Sequence, residues 1–325
     1  MKKYVELITT GGTIASLPNE DGDVKASIDG QAFIEHYGIE GDIKVTSSMV
    51  IDSSNFTYEL LYKLAKDVIS AVNDPEVEGI VITHGTDTME ETAFYLSLFT
   101  QQYSKPIILT GSQFDASYAF SDGVKNLHDA IQAARSPQLF GCGPVIVFAG
   151  FIYSAREVTK VDTNSLEAFG STAWGPMGRI DDNKVILVRH AKAVKNLELK
   201  QLHSVALIRL VSGMTGEELR RMTEGFEGIV VESFGRGNAN KDLLQTFVDL
   251  VQHGQPVIIT SRCHRGEVKP YYGDGGGRDL ERAGVWFAGD LDGIKARILL
   301  GLLLANDLSW DEMHEVVRAY SQPHL

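Results

Sequence analysis

Short apolar runs alternate with amphipathic stretches along the first part of the chain. The apolar runs end in glycine or polar residues, which is typical of buried strands in a parallel sheet. The clearest are Tyr4–Thr9, Gly79–Thr83, Pro106–Thr110 and Pro144–Phe148. Between them, apolar residues recur three and four positions apart, a spacing that predicts helices packed on the sheet. These predicted helices are Tyr58–Val72, Thr88–Phe99 and Asp122–Ala134, the first with Thr57 as its N-cap.

The same alternation returns after residues 191–204, which are rich in lysine, short of turn residues and predicted to be a linker. The pattern predicts two α/β domains with mainly parallel sheets. The larger N-terminal domain is expected at 1–190 and the smaller C-terminal domain at 205–325. Its predicted strands are Val205–Val211, Gly228–Glu232 and Pro256–Thr260, and its predicted helices are Gly216–Thr223, Lys241–Gln252, Asp292–Ala305 and Asp311–Tyr320.

Charge and composition narrow the class of protein. Acidic residues outnumber basic ones 43 to 30, giving a net charge of −13, whereas nucleic-acid-binding proteins usually carry a basic surface. The apolar stretch after Met1–Lys3 contains Glu6 and is shorter than the roughly 7–15 residues of a secretory leader. No apolar run approaches the ~20 residues that span a bilayer. Cys142 and Cys263 show no zinc-binding spacing. We therefore expect a cytoplasmic protein without nucleic-acid or membrane partners.

Motifs for several common chemistries are missing. The sequence has no Gly-Lys pair for a P-loop and no Gly-x-Gly-x-x-Gly dinucleotide fingerprint. Neither the His-Glu-x-x-His zinc motif nor the Gly-x-Ser-x-Gly hydrolase elbow occurs. Kinase, dehydrogenase and metalloprotease functions are therefore disfavoured, and no cofactor or metal is expected.

Three predicted strands end in threonine followed by a glycine-containing turn, at Thr10, Thr83 and Thr110. Ligands of open parallel sheets bind in the crevice at the carboxyl ends of the strands. One shared polar pocket, lined by small hydroxyl residues, is therefore predicted at these ends.

Each polar turn has a functional and a structural interpretation. The first turn presents the Thr13 hydroxyl to the pocket, or Thr13 is incidental to a tight glycine turn. Asp87 binds a substrate ammonium group while Thr86 does acid–base or nucleophilic work, or Asp87 caps a helix. The segment Asp52–Thr57 is typical of caps and turns. The acidic pair that follows, Glu90 and Glu91, falls where the helix dipole favours carboxylates and is interpreted as structural.

Taken together, these segments resemble the bacterial-type L-asparaginase/glutaminase family. TGGTIA at Thr10–Ala15 is similar to its first signature, and HGTDT at His84–Thr88 to its second. Two long motifs in the right order, each after a strand, are more specific than either alone. Further segments similar to the family are Ser121–Leu127, the catalytic-lysine segment Arg156–Lys160 and the glycine–asparagine turn Gly235–Asn240. The segment Arg282–Val285 is similar to the cytoplasmic (type I) branch of the family.

The resemblance implies roles for individual residues. Thr13 matches the nucleophile, and Thr86, Lys160 and Asp87 match a Thr–Lys–Asp triad. Ser53 and Asp87 match the residues that hold the α-carboxylate and α-ammonium groups of the substrate. The other substrate-binding candidates are Ser54, Gly12, Ser112 and Asn240, the last of which reaches the site of a neighbouring subunit in the family.

The family also implies a reaction and an assembly. The expected reaction is hydrolysis of L-asparagine to L-aspartate and ammonia through an acyl-enzyme, without a cofactor. L-Glutamine is a possible second substrate, since one methylene group is worth only about 1–3 kcal/mol of discrimination. The expected assembly is a homo-oligomer, a tetramer built as a dimer of dimers.

The chemistry of these roles leaves one alternative open. A threonine hydroxyl needs a base within hydrogen-bond reach to act as a nucleophile. Lysine serves as that base only when deprotonated, and a neighbouring carboxylate such as Asp87 favours its charged form. Lys160 therefore either acts as the base or orients and polarises Thr86. Backbone N–H groups of the first glycine turn, or of Gly111 and Ser112, are candidates for stabilising the oxyanion.

The sequence departs from the family pattern at two places. The family carries an activating tyrosine in the loop after its nucleophile, but Leu17–Glu35 contains none, and Asp23 or Val24 falls near that position. Tyr37 is too late in the chain to be a direct match. Gly273–Gly277 lies where the periplasmic branch offers a glutamate to its partner. The polar loop Pro18–Asp23 is predicted to be a lid.

Two other functions compete with this one. The first is the asparaginase-like subunit of a tRNA amidotransferase, which carries an added N-terminal domain, whereas the first signature here begins by residue 10. The second is an amino-acid sensor that kept the pocket and lost the chemistry. The presence of all four candidates, Thr13, Thr86, Asp87 and Lys160, disfavours the sensor.

Overall fold

A computed structural model describes residues 3–19, 21, 23–28, 30–39, 41–190 and 196–321. The chain forms two compact units that divide after Asn196. The predicted boundaries at residues 190 and 205 stay predictions. The first part of the predicted linker, residues 191–195, lies outside the described residues.

The first unit is built on a mixed sheet. Its elements are β1 (Tyr4–Gly11), β2 (Ser16–Pro18), β3 (Val24–Ala26), α1 (Gly30–Tyr37), β4 (Ile43–Ile51), α2 (Tyr58–Asn73), β5 (Val77–Thr83), α3 (Met89–Thr100), β6 (Ile107–Thr110), α4 (Gly123–Ala134), β7 (Pro144–Phe148), β8 (Phe151–Ser154), β9 (Thr159–Lys160), β10 (Phe169–Gly170), β11 (Gly178–Asp181) and β12 (Lys184–Leu187). The strands of the main sheet follow the order β12-β11-β8-β7-β6-β5-β1-β4. The pairs from β4 to β7 are parallel, and the pairs from β7 to β12 are antiparallel.

The helices of this unit follow from their apolar spacing and caps. In α2, the buried residues Leu61, Leu64, Val68 and Val72 lie on one face, and the Thr57 hydroxyl accepts the N–H of Leu60, as predicted for an N-cap. Helix α3 differs, because all its residues except Glu91 are buried. A helix enclosed on nearly every side is a rigid support for the loop at its start.

The second unit is built on a parallel sheet. Its elements are β13 (Val205–Arg209), α5 (Gly216–Thr223), β14 (Gly228–Ser233), α6 (Leu244–Gln252), β15 (Val257–Ser261), α7 (Gly277–Arg282), β16 (Trp286–Phe287), α8 (Gly293–Ala305) and α9 (Trp310–Ser321). The strands follow the order β13-β14-β15-β16. Helix α8 is buried on nearly every side, and its enclosed Lys295 amine donates to Asp292, the N-cap residue of the helix.

The predicted fold class, two α/β domains with mainly parallel sheets and the larger domain first, is confirmed. The sequence pattern missed β4, because this strand is only half-buried and mixes polar with apolar residues without strict alternation. Both cysteines are free thiols. No helix among the described residues combines the length and apolar character that crossing a membrane requires.

Candidate active site

The three threonine-ended strands lie side by side with their carboxyl ends at one edge of the sheet. Thr9 pairs with Thr83 between β1 and β5, and Thr83 pairs with Thr110 between β5 and β6. The Thr10 hydroxyl donates to the Thr83 carbonyl over 2.8 Å, and the His84 N–H donates to the Thr110 carbonyl over 2.8 Å. The loops that follow these strands therefore begin next to each other, as the shared-pocket prediction requires.

Two glycines bring the backbones of the first two loops into direct contact. A Cβ atom on Gly12 would lie 2.3 Å from the backbone nitrogen of Gly85, and the φ of Gly12 is +76°. A Cβ atom on Gly85 would in turn lie 2.6 Å from the Ser53 hydroxyl oxygen. Only glycine permits this approach, so both are needed for three segments to meet. Thr13 and Thr86 each follow immediately after this contact.

Thr13 opens a short 3₁₀ turn, Thr13–Ala15, and is half-buried. Its hydroxyl makes no hydrogen bond to any described residue, whereas the turn around it is well held. The Ser16 hydroxyl donates to the Gly12 carbonyl over 2.8 Å, and the Tyr37 hydroxyl donates to the Ile14 carbonyl over 2.6 Å. Burial, and then the nearby carboxylate of Asp122, raises the pKa of Tyr37, so this phenol stays protonated and donates.

Tyr37 thus approaches the Thr13 turn from α1, although its sequence position is too late for a match to the family tyrosine. Asp23, near the expected tyrosine position, is exposed and lies 4.0 Å from Lys25. Of the predicted lid Pro18–Asp23, residues 20 and 22 lie outside the described part of the chain. The described part forms a tight turn between β2 and β3, in which the Asn19 side chain accepts two backbone N–H groups. Its function as a lid stays a prediction.

Lys160 joins the second loop from a remote part of the chain. Its Nζ donates to the Thr86 hydroxyl over 2.8 Å and to a carboxylate oxygen of Asp87 over 2.7 Å. The Asp87 side chain is 65% exposed and that of Lys160 only 18%, so Asp87 presents a carboxylate at the surface of this cluster. Thr88, without a side-chain capping bond, is the N-cap of α3. The capping interpretation of Asp87 is therefore wrong.

The Thr86 hydroxyl also contacts Gln113 in the third loop. It donates to the Gln113 amide oxygen over 3.1 Å, while the Gln113 backbone N–H donates to the Asp122 carboxylate over 3.0 Å. Asn126 supports the same loop by donating to the Gly111 carbonyl over 3.0 Å. The Thr86 hydroxyl is therefore hydrogen-bonded on two sides, accepting from the Lys160 amine and donating to the Gln113 amide.

Two buried carboxylates hold the segment that carries Lys160. Glu90, at the start of α3, is 6% exposed and accepts the backbone N–H of Lys160 over 3.1 Å. Glu157 forms a two-point ion pair with Arg189, with one N···O distance of 3.0 Å. Glu90, which was predicted to serve the helix dipole, also contacts the lysine segment.

His84 supports the second loop from inside the protein. The ring is fully buried, and burial lowers its pKa to about 4. Its Nδ1 lies 2.7 Å from the Gly85 carbonyl, and its Nε2 lies 2.9 Å from the Thr92 hydroxyl. Because a carbonyl only accepts, Nδ1 carries the proton and Nε2 accepts from Thr92. The neutral ring thereby fixes the Gly85 carbonyl just before Thr86.

The other predicted substrate-binding residues are placed differently. Ser53 is buried beside Gly85, and the Thr88 hydroxyl donates to its carbonyl over 2.8 Å, but Ser54 is exposed. The Ser112 hydroxyl donates to the Phe114 carbonyl over 2.7 Å and so serves its own loop. Asn240 lies in the second unit, where its side chain caps a short 3₁₀ turn by accepting the Asp242 N–H.

The contacts that sequence reasoning missed include those of Gln113 and Glu90. Gln113 directly follows Ser112 at a predicted strand end, and a polar side chain at that position is the signal that could have indicated it. The Glu90 contact joins residues 70 positions apart, and no local pattern indicates it. Within the described ranges, no group of His, Cys, Asp or Glu side chains is arranged to hold a metal ion.

Comparisons with known proteins find similarity to asparaginases along almost the whole chain. The family model described as asparaginase, N-terminal, matches residues 4–193, and the glutaminase/asparaginase C-terminal domain matches residues 204–317. An L-asparaginase of Bacillus licheniformis is 34% identical, over 94% of this chain and 97% of its own length. A glutamyl-tRNA(Gln) amidotransferase subunit of Halobacterium salinarum is 31% identical, over 93% of this chain and 75% of its own length.

A solved structure, that of a probable cytoplasmic L-asparaginase from Campylobacter jejuni, superimposes with a TM-score of 0.85 at 30% identity. The match covers 98% of this chain and all of that one. Two family models in sequence, relatives above 30% identity and a common two-domain fold lead to one conclusion. The chain belongs to the asparaginase family.

Proposed function

We propose that this protein is an L-asparaginase, which hydrolyses the side-chain amide of L-asparagine to give L-aspartate and ammonia. The observation that carries the proposal is the position of the Lys160 amine, 2.8 Å from the Thr86 hydroxyl and 2.7 Å from the Asp87 carboxylate. The loop that bears Thr86 and Asp87 touches the loop that bears Thr13, and the contact is between Gly12 and Gly85. Two adjoining loops thus carry two hydroxyls and a carboxylate, and the Lys160 amine contacts one of these loops.

Thr13 is the proposed nucleophile. Its oxygen bonds to the amide carbon of the substrate, the carbon–nitrogen bond breaks, and the hydroxyl proton ends on the nitrogen, which leaves as ammonia. The product is an ester of Thr13 with the aspartyl group. Support comes from the position of Thr13, which directly follows the Gly12 backbone where it touches Gly85 in the loop of Thr86 and Asp87. Attack needs a base within reach of this hydroxyl.

Thr86 and Lys160 take part in the proton transfers of the reaction. A lysine amine that donates to both Asp87 and Thr86 orients and polarises the Thr86 hydroxyl. In the second half of the reaction, water attacks the ester carbon and the bond to Thr13 breaks. Aspartate is released and the Thr13 hydroxyl is restored. Thr86 directs that water, because its oxygen is held from two sides by Lys160 and Gln113.

These two loops and the segments that follow β4 and β6 supply groups for binding the substrate. The exposed carboxylate of Asp87 holds the α-ammonium group, and Ser53, with Ser54 beside it, holds the α-carboxylate. Backbone N–H groups of the Gly12 turn and of the Gly111–Ser112 segment stabilise the oxyanion that forms during attack. One such donor is typically worth about 3–4 kcal/mol of the barrier.

The proposal extends to the assembly and location of the protein. It acts in the cytoplasm as a homo-oligomer, a tetramer built from dimers, in which Asn240 of one subunit reaches the site of a neighbour. The family relationship supports this assembly. Light scattering tests it, since a fully active monomer would contradict it.

An ammonia-release assay on the purified protein tests the reaction. We expect turnover with L-asparagine, and slower turnover with L-glutamine, whose extra methylene costs about 1–3 kcal/mol in a fitted pocket. Comparable rates on both amides would instead support a broad glutaminase-asparaginase. Binding of asparagine without ammonia release would support an amino-acid sensor. Activity that requires an added partner protein would support an amidotransferase subunit.

A further inference from the structure

Lys160 lies on a strand that the main sheet does not hold. Strand β9 has two residues and pairs with β10 in a small antiparallel ladder, separate from the sheet whose strand β5 leads into the Thr86 loop. Two residues of pairing do not define where a lysine amine lies to within a few tenths of an ångström. Contacts outside this ladder therefore help to set its position, namely those with the Thr86 loop and α3 and the ion pair of Glu157 with Arg189.

Glu90 supplies such a contact. It lies four positions after Thr86, in the first turn of α3, and its side chain is 6% exposed. Its Oε2 atom accepts the backbone N–H of Lys160 over 3.1 Å. Thr86, Asp87 and Glu90 therefore form one continuous segment that holds Lys160 twice, by its amine and by its main chain.

The chemistry of this contact favours a fixed geometry. A carboxylate that accepts a backbone N–H makes a charge-assisted hydrogen bond, which is stronger than one between neutral groups. The carboxylate also lies at a helix N-terminus, where the dipole stabilises its charge. Helix α3 is enclosed by protein on nearly every side, so the acceptor moves little.

We propose that Glu90 is a positioning residue of the active site. Its carboxylate fixes the main chain at Lys160 so that the amine reaches Thr86 and Asp87 together. This inference rests on the proposed function, but it concerns a residue whose sequence position indicates only a helix-dipole role. Its neighbour Glu91 separates the two roles, because it lies in the same helical turn and is the one residue of α3 that is not fully buried.

The first test compares the kinetics of three variants. Glu90→Leu fills the volume but removes the acceptor, and we expect kcat to fall 10- to 100-fold with little change in KM. Glu90→Gln keeps an acceptor oxygen, and we expect kcat within about 3-fold of the original protein. Glu91→Leu is the control and should keep normal kcat. A loss for Glu91→Leu as large as that for Glu90→Leu would overturn the proposal, as would an equal loss for Glu90→Gln.

The second test does not depend on activity. Hydrogen–deuterium exchange at the Lys160 amide should be slow in the original protein and in Glu90→Gln, and faster in Glu90→Leu. Unchanged exchange in Glu90→Leu would refute the contact even if its activity fell. If the original protein released no ammonia, the proposed function would fail while the exchange result still decided the positioning role. Should Glu90→Leu fail to fold, Glu90→Asp withdraws the acceptor by one methylene and should show the same changes to a smaller degree.

Discussion

The two proposed catalytic threonines lie in adjoining loops that are held in different ways. In the loop after β5, the Thr86 hydroxyl bonds to Lys160 and Gln113, and Asp87 bonds to Lys160. In the turn after β1, the backbone around Thr13 is held by Gly12 and Tyr37, but the Thr13 hydroxyl has no partner among the described residues. The Thr86 hydroxyl is thus hydrogen-bonded within the protein, and the Thr13 hydroxyl makes no hydrogen bond to the residues that the structure describes.

This difference fits a division of labour in hydrolysis. A nucleophilic hydroxyl has to reach both the substrate and a base, whereas a proton-handling pair gains from being held in place before the substrate arrives. The buried α3 and the fully buried His84 provide that support for the second loop. Support for the first turn comes from side chains on α1 and from close backbone packing. Variants that each change a single half of the site therefore test this comparison.

The largest effect is expected at Thr13. Thr13→Ala removes the proposed nucleophile, and turnover should fall at least about 1,000-fold, as for nucleophile removal in other hydrolases. Thr13→Ser keeps a hydroxyl and should retain more activity than Thr13→Ala. Both are measured by ammonia release, with the melting temperature showing that the fold survives. Turnover that survives in Thr13→Ala and is abolished in Thr86→Ala would reverse the roles of the two loops.

Lys160 should have the next largest effect. Lys160→Met keeps the length of the side chain but removes the donor to Thr86 and Asp87, and kcat should fall about 100- to 10,000-fold. Lys184→Met removes an equal charge from an exposed position on β12 and should leave kcat unchanged. Similar losses in both variants would mean that overall charge, and not the contact with Thr86, matters.

His84 should make the folded protein less stable in acid. In the unfolded chain its pKa is near 6.5, and burial lowers the pKa to about 4 in the folded protein. As the pH falls from 6.5 to 4, the unfolded state takes up a proton that the folded state does not. The folded state should therefore lose about 3 kcal/mol of stability by pH 4, and none of this loss occurs above pH 7.

The matched variant for this prediction is His84→Gln, which keeps a donor and an acceptor but does not titrate. Thermal unfolding between pH 7 and pH 4 should show a smaller drop in melting temperature for His84→Gln than for the original protein. Since other carboxylates titrate in both proteins, only the difference between them reports on His84. Parallel pH profiles would contradict the prediction.

Tyr37 should have the smallest effect, because it acts on the Thr13 turn through the backbone. Tyr37→Phe removes the hydrogen bond to the Ile14 carbonyl, which is worth about 1 kcal/mol, so kcat should fall only a few-fold. Tyr4→Phe removes a hydroxyl that donates to Asp74, at the start of β1 and away from the site, and should not change kcat. A loss of 100-fold or more in Tyr37→Phe would mean that the phenol takes a direct part in the reaction.

Much of the fold was predictable because local patterns determine it. The strand Pro144–Phe148 and the helix Gly216–Thr223 were predicted with their observed bounds. Each segment carries the apolar pattern of a single type of element, and turn or polar residues mark its end. Strand β4 was not, because it is half-buried and its polar residues follow no strict alternation. Its position at the edge of the sheet depends on its pairing with β1, which no local pattern indicates.

For the site, the amino-acid order established which chemical groups are present and that they follow strand ends. Thr13, Thr86 and Asp87 became candidates that way, because parallel strands place their carboxyl ends at one edge. The packing of the folded chain, in contrast, brings Lys160 to Thr86, Gln113 to the same hydroxyl, Glu90 to the lysine main chain and Tyr37 to the first turn. These contacts join segments 23 to 74 positions apart, so they depend on how whole elements pack and leave no trace in local periodicity.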